Sequence, residues 1–257
     1  SAARAAWQDD LVRLARVMVE QFFAAEHGLM WGAIHDPAQL EPGSRHTDFG
    51  HTIKALWMIY LVGQLAGHSD LVAFARRHAG PVLERAAQPS GCWGSGIKRD
   101  GSVDANGQWW IFAELDQAAA TLAMREADHR PYVRYLDKSY RCWLARFVDR
   151  RDKGIWPFVP AGLTDEQFAE FIARWRPVKV FHWKSGYHAA EHALIALITT
   201  AALTGQQVTL HYAFAREPAP LSIQPYFFRG DITGRESVAL PDHSDLRGVR
   251  VRFGNLR

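Results

Sequence analysis

Cysteine is nearly absent from this chain: Cys92 and Cys142 are the only two in 257 residues. Two cysteines make no disulfide framework, so free buried thiols and a reducing, cytoplasmic compartment are the expectation. No apolar run is long enough to cross a bilayer. The segment 193–203 is apolar but short, and is expected to be a buried helix. Neither sign of charge dominates. The net charge is +3 with acids and bases intermixed, which excludes an electrostatic case for nucleic acid or an anionic membrane as partner. The chain begins at Ser1 with neither Met nor a signal-peptide pattern, as a piece of a longer protein would.

What the chain does have is tryptophan and histidine, ten and twelve respectively. Indole faces suit the C–H faces of sugar rings, and imidazole is the side chain most readily used for proton transfer near neutral pH. Most of the tryptophans are nonetheless expected in the core.

Residues 1–205 read as alternating helices and loops. Apolar side chains recur at helical spacing over 5–25, 48–66, 69–87, 108–127, 131–149 and 185–204. Thr164 is placed to cap a short helix over 165–175. Three helices open with polar or aromatic residues and then turn apolar: the one at His51, the one at Trp109-Trp110, and the one beginning at Lys184. Glycine-rich or irregular loops precede them. This is how helical hairpins arranged in a ring would read, with the first turns of the inner helices converging on one cavity. The fold expected is mainly α, helical hairpins arranged in a ring, with a small β-rich appendage at 206–257. In that tail Val208–Phe214, Ile223–Phe228 and Gly248–Phe253 are the strand candidates, punctuated by Pro218, Pro220 and Pro225. The tail is expected to pack on the helical body without carrying the site.

Three clusters hold candidate chemistry. His51 and Lys54 lie in the first turns of a helix capped by Thr47 or Asp48, where the helix dipole disfavours imidazolium and favours a developing negative charge on a ligand. Trp109 and Trp110 precede Glu114, and Trp110 and Glu114 share a helix face, an aromatic platform beside a carboxylate. Trp183 and Lys184 lead into Tyr187, His188, Glu191 and His192. Here a catalytic His188 competes with an inverted zinc-protease motif, His188-x-x-Glu191-His192. A third zinc ligand would have to come from Glu217 or Glu236 in the tail.

Four stretches carry a resemblance. Phe49-Gly50-His51-Thr52-Ile53-Lys54 followed by Trp57 resembles the Gly-His-x-Ile-Glu…Trp motif of the N-acylglucosamine 2-epimerase family. Gln108 through Glu114 resembles its Lys-x-Trp-Trp…Glu helix start. Asp152 through Trp156 resembles its Gly-Gly-Trp loop, and Trp183 through His188 its Trp-Lys-x-Pro-Tyr-His motif. All four occur in the family's order. The resemblance covers residues 5–204, about the last two thirds of such a protein, and implies a partial (α/α)6 barrel, a helical-hairpin toroid whose amino-terminal hairpins are expected to be missing.

It implies cofactor-independent epimerisation or aldose–ketose isomerisation of a mono- or disaccharide, with no metal, in a protein that can self-associate. His51 and His188 would be the acid/base pair, and Lys54, Trp109, Trp110, Glu114 and Trp183 would bind substrate. Two positions depart from the pattern with inverted charge: Lys54 replaces a glutamate, and Glu191 replaces an arginine. A catalytically inactive sugar-binding or structural relative is therefore the alternative, with the zinc protease a minor one.

Overall fold

Helices account for about half of the chain in this computed structural model, which describes residues 2–32, 41–42, 47–215, 223–241, 243 and 245–257. Helix α1 is Ala2–Val17 and runs into a π-helical turn, Met18–Phe22. A two-residue ladder, β1 (Phe23–Ala24) with β2 (Leu29–Met30), follows. Then come α2 (Phe49–Ala66) and α3 (Ser69–Ala86). Short ladders join β3 (Gly96–Ile97) to β4 (Val103–Asp104), and β5 (Gly107–Gln108) to β6 (Phe158–Val159). Between β5 and β6 lie α4 (Trp109–Arg125), α5 (Arg130–Cys142) and a second π-helical turn, Trp143–Phe147. Helix α6 is Asp165–Trp175 and α7 is Tyr187–Leu203. Among the described residues no central sheet runs through the helical part.

Packing follows the sequence pattern. Helix α4 stands between α2 and α7, with α3 behind α2 and α5 behind α4. The middle position explains why α4 buries every residue from Ile111 to Ala123. Helix α7 buries one face only, through His192, Ile195, Ile198, Thr199 and Ala201, and leaves Leu197 and Leu203 exposed. The ends of these helices are chemically specified. Asp48 caps α2, and Gly67 closes it in a left-handed conformation that costs glycine little. Thr164 and Gln167 form a reciprocal capping box on α6.

The tail holds an antiparallel sheet in the order β7-β9-β8, where β7 is Val208–Phe214, β8 is Asp231–Val238 and β9 is Arg247–Gly254. Two strands lie where alternation places them. The third does not: Ile223–Phe228 is a turn, and the strand is Asp231–Val238 instead. Pro225 has no N–H to give a ladder, and Tyr226 takes a positive φ of 62° that no strand accommodates. Glu217, Pro218 and Pro220 lie outside the described residues.

A second correction concerns the thiols. Cys92 and Cys142 are bonded as a disulfide, with Cα atoms 5.4 Å apart. It ties the loop after α3 to the last residue of α5. A sequence separation of 50 hid a proximity that only helix packing creates. A disulfide persists where the compartment is oxidising, which runs against the reducing compartment expected from sequence. Among the described residues, no helix is long and apolar enough to cross a membrane.

The bridge closes a loop of 50 residues, so its loss should lower stability by roughly 2–4 kcal/mol. Urea unfolding of the oxidised protein, the dithiothreitol-treated protein and Cys142→Ser checks this. The last two should coincide below the first.

Candidate active site

The first turn of α2 is built around Asp48. Its Oδ1 accepts the backbone N–H of His51 at 2.8 Å, which caps the helix, while Oδ2 lies 2.7 Å from His51 Nδ1. One carboxylate thus starts the helix and orients the imidazole. With Nδ1–H donating to Asp48, Nε2 is the nitrogen left with a lone pair. Gly50 supplies the space beside it: a Cβ there would come within 2.6 Å of Trp110 Cζ3 and 2.7 Å of Ile111 Cγ1. Only glycine lets the Trp110 indole lie against α2. Both imidazoles then pack on that one indole, His51 with ring centroids 4.7 Å away and His188 at 6.3 Å.

Glu114 is the hub beneath them, and it is almost wholly buried. Lys54 Nζ donates to its Oε1 at 2.6 Å, and Trp57 Nε1 to its Oε2 at 2.9 Å. His188 Nε2 lies 3.3 Å from Oε1, yet it is buried and makes no hydrogen bond among the described residues. Burial pushes the Glu114 carboxyl up, but the His188 contact, the Lys54 bond and charge, and Trp57 outweigh it, leaving the group below the usual carboxylate range. Beside this cluster opens a largely apolar cavity of about 270 Å³, lined by Met18, Phe22, Met30, Trp31, His51 and Lys54 among others.

Comparison with known proteins separates sequence from architecture here. No family model matches the chain, and no curated protein matches it in sequence. Solved structures do match. Cellobiose 2-epimerase from Bacillus thermoamylovorans B4167 superposes with a TM-score of 0.59 at 18% identity, over 73% of this chain and 46% of that one. Cellobiose 2-epimerase from Spirochaeta thermophila DSM 6192 gives 0.57 at 18%, over 77% and 47%. A sugar epimerase from a ruminal bacterium gives 0.55 at 19%, over 75% and 47%. Over about three quarters of its length the chain shares the fold of part of the cellobiose 2-epimerases. The chain spans about half the length of these structures.

Two residues expected to bind substrate are not brought to the cluster. Trp109, the first residue of α4, is buried against Phe181, with the Lys184 ammonium 5.5 Å from its ring centroid. Trp183 is 77% exposed and packs on His182, in the turn that Phe181 and Lys184 close ahead of α7.

The zinc arrangement is not assembled either. His192 Nε2 meets Asp116 Oδ2 at 2.6 Å in the core, while His188 faces Glu114. Glu191 is taken by the hydroxyls of Tyr187, at 2.9 Å, and Tyr226. Among the described residues no three His, Cys, Asp or Glu side chains are placed to share a metal.

Several neighbours of the cluster escaped sequence reading. Asp48 was legible as a cap, and the Asp-x-x-His spacing also carried its contact with the ring. Trp57 was visible only as a motif residue. Tyr226, and Phe227 with its ring centroid 5.7 Å from that of Trp57, gave no signal. They lie in the turn that replaces the expected strand, and through it the tail reaches the cluster.

Two expectations follow. Gly50→Ala should cost about 1–3 kcal/mol by overpacking and displace Trp110, read by thermal melts and near-ultraviolet circular dichroism. Glu114 has a folded pKa below its ordinary 4.5, so its contribution to stability is complete above that value and is lost as pH falls through the lower folded pKa. Urea midpoints between pH 6 and 3 should therefore fall less steeply for Glu114→Gln than for wild type.

Proposed function

We propose that this chain carries a sugar epimerase or isomerase site, free of cofactor, in which His51 and His188 act as the acid/base pair. The observation that carries the reading is the convergence of two imidazoles from different helices on Trp110, above a buried and fully engaged Glu114. The shared fold with sugar epimerases supports it. So does the row α2, α4, α7 with α3 and α5 behind, which we read as consecutive hairpins of a helical toroid. On this reading residues 1–205 form the helical body and 206–257 an appended unit.

The reaction needs a proton removed from the carbon beside the carbonyl of an open-chain sugar. His51 suits the base: Asp48 holds the proton on Nδ1 and turns Nε2 into the acceptor. The electron pair left on carbon delocalises into the carbonyl, giving an enediolate. The α2 amino terminus and the Lys54 ammonium lie close to His51 and suit the developing oxyanion. His188 returns a proton, to the opposite face of the same carbon in epimerisation or to the neighbouring carbon in isomerisation. The Trp110 indole offers the sugar an aromatic floor.

Solvent exchange followed by NMR tests the reading. The protein, incubated in D2O with mannose, glucose, cellobiose or N-acetylmannosamine, should place deuterium on the carbon next to the carbonyl of at least one sugar. His51→Asn and His188→Asn should each slow exchange about 10²–10⁴-fold. Binding without exchange in the wild type would favour the inactive sugar-binding relative, and full exchange in His188→Asn would remove the two-histidine mechanism.

A further inference from the structure

Glu191 stands where the sequence resemblance places an arginine, and its surroundings show how the carboxylate is tolerated. Its Oε1 accepts hydrogen bonds from two phenols: Tyr187, one turn earlier on α7, and Tyr226, from the turn between β7 and β8. Burial, with the Glu191 carboxylate next to them, raises both phenols above their ordinary pKa, Tyr226 the more strongly, so both donate. Oε2 has no hydrogen-bond partner among the described residues, and Glu191 is only half-buried. A carboxylate fixed at one oxygen and open at the other is a built acceptor. Tyr187 joins it to the histidine cluster, since its ring centroid lies 5.1 Å from that of His188.

The turn that brings Tyr226 is held firmly. Arg125 Nη2 donates to Phe227 O at 2.7 Å, Phe228 is buried, and Phe227 packs on Trp57. This anchoring maintains the positive φ of Tyr226, a conformation that costs a non-glycine residue energy and persists only where neighbours impose it.

The charges around the cluster are unequal. Asp48, Glu114 and Glu191 are acidic, and Lys54 is already paired to Glu114. From this geometry we infer that Glu191 is a specificity-determining residue, that Tyr226 is its positioning residue, and that the site accepts neutral or amino sugars while rejecting sugar phosphates and sugar acids. The inference rests on the sugar reading above. Oε2 accepts a sugar hydroxyl or ammonium, whereas an anionic group meets uncompensated negative charge.

Tryptophan fluorescence titrations of the full chain at neutral pH, with glucose, glucosamine and glucose 6-phosphate, test it. In the wild type glucosamine should bind at least as tightly as glucose, and glucose 6-phosphate about tenfold more weakly. Glu191→Gln should bring the three within about threefold of one another. Tyr226→Phe, which keeps the charge but frees the carboxylate, should weaken glucosamine and glucose by about tenfold while preserving the rejection of the phosphate. Glucose 6-phosphate binding the wild type as tightly as glucose, or an unchanged ranking in Glu191→Gln, overturns the inference and leaves the sugar reading standing. A wild type that binds none of the three overturns the sugar reading, and the inference falls with it.

Discussion

The arrangement depends on two carboxylates buried in one helix. Glu114 and Asp116 are two residues apart on α4, about 200° around its axis, so they face opposite ways. Glu114 reaches toward α2, where Lys54 and Trp57 receive it. Asp116 accepts from Trp93 in the loop after α3 and from Ser139 on α5, and meets His192 on α7. A buried carboxylate without partners is costly, and one with partners adds little net stability but fixes the register in which they meet. Helix α4 can therefore sit between its neighbours in only one rotation. In that rotation His188, one turn before His192, comes to Glu114 on the α2 side.

Helix existence was legible because it depends on side-chain periodicity, which tertiary packing reinforced. Asp48 and Thr164 were legible as caps because a cap is a local hydrogen bond. The contacts that define the candidate site divide along the same line. His51, Trp110, Glu114 and His188 belong to helix starts that one packing rule brings together, whereas Tyr226 depends on a turn 35 residues beyond Glu191. The disulfide was illegible for a similar reason: its two ends meet through the packing of α3, α4 and α5. Trp109 and Trp183 lie away from the cluster for a local reason. An aromatic residue next to a motif position faces away from it as easily as toward it, and a helix allows neighbouring side chains about 100° of separation.

The inverted charges at Lys54 and Glu191 each have direct partners of their own: Lys54 bonds Glu114, and Glu191 accepts from two tyrosines at Oε1. The Lys54 pair is compatible with proton chemistry, since the ammonium lies in the second turn of α2, three residues after His51. It does change the role open to Glu114. Both of its oxygens are engaged, and its pKa is depressed, so it fits the part of a fixed charge better than that of a proton carrier.

On the proposed reading the two histidines are consequently not equivalent. Asp48 sets the His51 tautomer from outside the cluster, through a contact already made without substrate. Among the described residues His188 has no such partner at Nε2. Its nearest carboxylate oxygen is 3.3 Å away and already accepts from Lys54. Glu114 thus faces His188 as a fixed charge already bonded to Lys54 and Trp57. Asp48 and Glu114 stand beside different histidines: one bonds the His51 ring directly, the other lies next to the His188 ring without a hydrogen bond. Because Glu114 also ties α4 to α2 through Lys54 and Trp57, the carboxylate beside His188 is the same one that holds the two histidines on a common indole.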